Sequence, residues 1–178
     1  GVDLKPAYYI TEPEIQAATA ALRSKGFVPD SPIIGFAVDA SSPGRRWYRD
    51  HAIHLANALV RGGNQVVFLG DNRFANHNQP SQLGFATSVP FRQQTAILSR
   101  CHLVVAVDSA LMHVAGALGV PQVILAGSFD AQLRMKHFSD CWVVQSERHC
   151  SPCQYHSNFC HIMEQEGFSN LVHSAPCM

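Results

Sequence analysis

Asp108, Ser109 and His113 bring an acid, a hydroxyl and an imidazole together directly after the apolar run Val104-Val105-Ala106-Val107. A buried parallel strand delivers polar groups to the carboxyl edge of a sheet in this way, and ligands of open α/β sheets bind in the crevice there. Ser109 is placed to cap the following helix and leave its first amides aimed at a phosphate. His113 lies about one turn further on and can face the same ligand, donating to a phosphate or a sugar hydroxyl. Asp108 can order a sugar hydroxyl or hold the loop by accepting backbone amides. The plainer alternative is a helix cap beside a histidine satisfied within the core.

Two other loops carry chemistry of the same kind. In Ala40-Ser41-Ser42-Pro43-Gly44-Arg45-Arg46-Trp47, the hydroxyls of Ser41 and Ser42 and the guanidinium of Arg45 suit a diphosphate, with Arg46 as a second cation. A solvated basic turn is the competing reading. Asp71, in Gly70-Asp71-Asn72, can accept two hydroxyl bonds from a ribose, or act as a turn cap. A fourth group is separate: Cys150, Cys153, Cys160 and Cys177 have the spacing C-x2-C-x6-C-x16-C. Two thiolates two residues apart grip one ion and two more complete a tetrahedron, for zinc or iron alike. A closed site of four ligands is structural. Free thiols or a disulfide pair are the alternative.

The elements that position these groups are legible from periodicity and punctuation. A helix is expected over 11–25, opened by Thr11 with Glu14 three residues on and closed by Gly26. Strands follow at 33–38, 65–69, 103–107, 122–126 and 142–145, and helices at 49–61, 90–99 and 109–118. Residues 73–88 are polar and irregular and read as a long loop. Strands alternating with helices imply a parallel sheet with right-handed crossovers. The first turn, Asp39 to Gly44, lacks GxGxxG, which argues against a nicotinamide dinucleotide. From His149 onward the composition shifts to Cys, His, Ser and Asn, marking a small appendage.

Composition removes several classes. The chain has 178 residues, 47% hydrophobic and 15% charged, enough for one well-buried domain and too apolar for disorder. Net charge is zero and no basic patch stands out, so nucleic acid is not an expected partner. No apolar run reaches the roughly 18–20 residues of a membrane span, and no signal-peptide core is visible at the start. A reducing, cytoplasmic setting follows, where clustered cysteines favour metal over disulfide.

The segment Asp108-Ser109-Ala110-Leu111-Met112-His113-Val114-Ala115-Gly116-Ala117-Leu118-Gly119-Val120-Pro121 resembles the C-terminal half of glycosyltransferase family 9, the lipopolysaccharide heptosyltransferase family. The family pattern Asp-(Ser/Thr)-Gly-x-x-His-x-Ala-x-Ala-Leu-Gly-x-Pro is matched at Asp108, Ser109, His113, Ala115, Ala117, Leu118, Gly119 and Pro121 and departs at Ala110, where Gly is usual. By the family's loop spacing Ser41 matches a hydroxyl position, Arg45 a lysine and Trp47 a tryptophan that packs. The likeness runs from about residue 30 to 177.

The resemblance implies an α/β fold. A Rossmann-like parallel sheet with helices on both faces, the donor-binding C-terminal half of a GT-B fold, occupies 31–146. A linker and leading helix occupy 1–30 and a Cys/His-rich appendage 147–178. It implies a nucleotide-diphospho-sugar donor of the ADP-heptose kind and an inverting transfer to a glycan, lipid or protein hydroxyl. Binding would fall to Ser41, Ser42, Arg45, Asp71, Asp108, Ser109 and His113, with no cofactor in the chemistry. Some relatives use four cysteines for a structural iron. The general base and acceptor site belong mainly to an N-terminal domain in that family, so the chain reads as a fragment inactive alone. Two other readings stay open: a GT-B enzyme using a UDP-sugar, and a non-catalytic nucleotide-binding or metal-stabilised interaction module.

Overall fold

The computed structural model describes residues 5–28, 31–70, 83–87, 89–147 and 151–152. Strands and helices alternate along the chain, in the order α1 (Glu12–Ser24), β1 (Ile33–Ala37), α2 (Arg49–Arg61), β2 (Gln65–Phe68), β3 (Leu83–Phe85), α3 (Phe91–Leu98), β4 (Leu103–Ala106), α4 (Ala110–Leu118), β5 (Gln122–Ala126), α5 (Ala131–Met135) and β6 (Cys141–Gln145). The strands form one six-stranded sheet in the order β3-β2-β1-β4-β5-β6. Every pairing is parallel. This is the doubly wound order, with its reversal point between β1 and β4, where a crevice opens at the carboxyl edge.

Alternation along the strands feeds two cores. Ile34, Phe36 and Val38 face α2 together with Val66, Phe68 and Val105, packing on Ala52 and Ala56. Phe36 and Phe68 are wholly buried, with ring centroids 5.1 Å apart. Ala37, Val67, Leu69, Val104, Ala106 and Ile124 face the other way, into a core closed by α1, α3, α4 and α5. Covered on both faces, the central strands read as continuous apolar runs rather than alternating ones. At the start of α1 the Glu14 carboxylate accepts from the Thr11 amide at 2.8 Å and the Thr11 hydroxyl at 2.7 Å. Arg92 at the start of α3 donates to the same carboxylate at 2.6 and 2.8 Å, tying the leading helix to the sheet domain.

Two elements were not expected from sequence. Residues 83–85, read as part of a loop, pair in register with β2. Gly84 is needed there, because a Cβ would stand 2.5 Å from the Phe27 ring. Residues 131–135 form α5, capped by Asp130, whose carboxylate accepts from the amides of Gln132 at 2.9 Å and Leu133 at 3.4 Å. Cys101 is buried in the turn between α3 and β4, and burial pushes its thiol up to about 12. Asp71, Cys150, Cys153, Cys160 and Cys177 lie outside the described residues.

Candidate functional site

A cavity of about 550 Å³, within the range of small-ligand sites, opens at the carboxyl edge of the sheet. Its walls come from the loops that follow β1, β2 and β4, from the first turns of α3 and α4, and from α5.

Asp108 is the centre of the arrangement. Its side chain is 2% exposed. Arg45, from the loop after β1, donates through Nη1 to Asp108 Oδ2 and to the Asp108 carbonyl, both at 3.3 Å. Its Nη2 donates to Ser41 Oγ at 3.0 Å. Arg45 Nε is buried with no hydrogen-bond partner among the described residues, so donor capacity remains beside the cavity. Arg134 of α5 brings Nη2 to 3.7 Å from the same Oδ2. His113, one turn into α4, stands with Nε2 3.8 Å from Oδ1, too far for a hydrogen bond. Burial lowers the His113 pKa below its ordinary 6.5. Asp108 opposes this and Arg134 adds to it, so the imidazole is neutral at pH 7.

Ser109 stands at the N-cap of α4 but its hydroxyl makes no capping bond, contrary to the expectation from sequence. Its Oγ is buried and has no hydrogen-bond partner among the described residues. Ala110 stands where the resembled pattern has Gly, and it is not among the residues with positive φ, so the turn makes no demand for Gly there.

The structure places Ser41, Arg45, Asp108, Ser109 and His113 on one cavity. Ser42 is buried and does not line it; its carbonyl accepts from the Arg45 amide at 3.1 Å and so shapes the loop. Arg46 lines the cavity but is committed to its own loop, donating to the Ala40 carbonyl at 2.7 Å and pairing with Asp39 at 3.2 Å. Trp47 packs against the core on the α2 side.

Sequence reasoning missed Asp39, Gln94 and Arg134 as lining residues. Gln94 clasps the turn after β2: its Oε1 accepts from Gly70 N at 2.7 Å and its Nε2 donates to the Val89 carbonyl at 3.0 Å. Beside it the Phe91 ring, 47% exposed, gives that end of the cavity an apolar surface. The available signal was positional: Asp39 follows β1 as Asp108 follows β4, and Arg134 follows β5. Among the described lining residues, three arginines against two aspartates leave one net positive charge while His113 is neutral. The arrangement can therefore receive an anion beside Arg45 and Arg134.

Residues 2–161 match the profile of glycosyltransferase family 9 (heptosyltransferase). Lipopolysaccharide heptosyltransferase 2 of Salmonella typhimurium is 34% identical over 110 residues, 55% of this chain and 32% of that protein. The structure of ADP-heptose LPS heptosyltransferase II of E. coli superposes with a TM-score of 0.67 at 27% identity, covering 80% of this chain and 46% of that one. A family 9 glycosyl transferase from Veillonella parvula superposes with a TM-score of 0.70 at 23% identity, over 94% of this chain and 49% of that one, a likeness of fold. The chain spans less than half the length of these relatives.

Proposed function

The chain belongs to glycosyltransferase family 9, and from that premise we propose that it binds the nucleotide-diphospho-sugar donor, of the ADP-heptose kind, for a heptosyl transfer to a hydroxyl acceptor in lipopolysaccharide or glycan assembly. The observation that carries the reading is the cavity at the start of α4, lined by Ser109, in which Arg45 is anchored on buried Asp108. The E. coli relative with a superposable fold is named for ADP-heptose, which supports the choice of base and sugar.

In this reading Arg45 and the α4 amides hold phosphate oxygens, and Ser109 Oγ donates to one of them. Phe91 gives the base a flat apolar neighbour. Neutral His113 offers an N–H to a phosphate or sugar hydroxyl. Asp108 fixes the guanidiniums before the donor arrives, so little reorganisation is needed when charge develops on the departing diphosphate. Activation of the acceptor hydroxyl is assigned to no residue of this cavity.

Calorimetric titration of the folded chain with ADP, UDP, GDP and CMP tests the proposal, with Arg45→Ala as the control. ADP should bind best, and the Arg45 change should weaken it by at least about tenfold, the value of one charge-assisted hydrogen bond. Preference for UDP would replace the base assignment. A folded chain that binds none of the four would remove the donor-binding reading.

A further inference from the structure

Arg134 enters the cavity from the fourth strand along its edge, on a segment that the sequence motifs do not touch. The order β2-β1-β4-β5 sets the turns after these strands side by side. At about 4.8 Å per strand, the turn after β2 and the segment after β5 stand roughly 14 Å apart. Gly70 and the exposed ring of Phe91 belong to the β2 end of this row, Arg45 and Ser109 to the loops after β1 and β4, and Arg134 to the segment after β5, from which its guanidinium reaches back to Asp108. A nucleotide laid along this row with its base on Phe91 would meet Arg45 before Arg134.

The backbone that carries Arg134 is fixed. Ala131 and Met135 are buried in the core, Asp130 caps the turn, and Ser128 Oγ donates to the Gly44 carbonyl at 3.4 Å, linking this segment to the Arg45 loop. Arg45 and Arg134 meet one carboxylate oxygen, at 3.3 and 3.7 Å. Two guanidiniums drawn together on a buried anion form a cradle for two adjacent anionic groups.

We propose that Arg134 determines specificity for a diphosphate over a monophosphate: it binds the distal, sugar-bearing phosphate while Arg45 and Ser109 hold the proximal one. The inference rests on the donor-binding reading above.

The test is calorimetric titration of the full chain with AMP and with ADP, on the wild type, Arg134→Gln and Arg134→Lys. The wild type should bind ADP more tightly than AMP. Arg134→Gln should leave AMP within about twofold and weaken ADP by about tenfold or more, and Arg134→Lys should recover part of the loss. Equal losses for both nucleotides would reduce Arg134 to an orienting partner of Asp108 and overturn the inference. So would an unchanged ADP affinity in Arg134→Gln, with the donor-binding reading left standing. If the folded wild type binds neither nucleotide, that reading fails and this one with it.

Discussion

Replacing Asp108 by Asn removes one negative charge from beneath two guanidiniums and keeps the side chain's size. At an effective dielectric of about 20, the gross attraction is about 5 kcal/mol to Arg45 at 3.3 Å and about 4.5 kcal/mol to Arg134 at 3.7 Å. Against this stands the cost of holding a carboxylate at 2% exposure, several kcal/mol. Breaking a fully buried pair costs about 3–5 kcal/mol, because the partner is left uncompensated. Here Arg45 and Arg134 keep 22% and 39% exposure, and water takes up part of the loss. The expected destabilisation is therefore about 2–3 kcal/mol, or a fall in Tm of about 4–12 °C for a chain of this size. Thermal and urea unfolding of Asp108→Asn, Arg45→Gln and the double variant measure it. The cycle should show a coupling of about 1–2 kcal/mol. A Tm within about 1 °C of wild type, or additivity within about 0.5 kcal/mol, would refute the view that the arginines hold Asp108 in place.

Two other perturbations test the frame around the site. A Cβ at Gly116 would stand 2.5 Å from Cγ and Cδ1 of Phe138, atoms too near that residue's backbone to swing aside. Overpacking of about 1–3 kcal/mol is set against a helix-propensity gain of about 1 kcal/mol, so Gly116→Ala should lower stability by up to about 2 kcal/mol in urea unfolding; an increase would show that the ring moves freely. The Arg92 guanidinium, with help from Thr11, holds the Glu14 carboxyl at about 2, below its ordinary 4.5. A depressed carboxyl contributes stability that is present above the unfolded value and lost as pH falls through the folded one. The advantage of wild type over Glu14→Gln should thus shrink between pH 5 and pH 2, and a constant difference across that range would contradict the pairing.

The elements with strong periodicity or clear punctuation were readable in advance. The helix from Arg49 to Arg61 was read with the limits it has, because its apolar face and the Gly62-Gly63 stop are both local signals. The strand β3 was not, since three residues centred on a glycine carry no alternation and owe their place to β2 and to the Phe27 ring. The short helix α5 was missed for a related reason: it is stabilised by the Asp130 cap and by burial of Ala131 and Met135. Arg134 was lost with it. The loops after β1 and β4 were legible because hydroxyls and charges follow apolar runs abruptly. That Arg45 would reach Asp108, 63 positions away, depends on β1 and β4 lying side by side, which no local pattern records.

That separation also decides when the site comes into being during folding. Parallel pairing of β1 with β4 closes a long loop, whose entropy is lost before the strands gain their contacts. Arg45 and Asp108 then meet only in a chain that has already seated its central strands, and Arg134 only once β5 has joined them. A partly folded chain has no half-built cradle. A ligand of this cavity therefore acts on the folding equilibrium of the whole sheet, adding RT ln(1 + [L]/Kd) to the free energy of the native state. The supply of such a ligand would set the chain's lifetime against proteolysis as well as its occupancy.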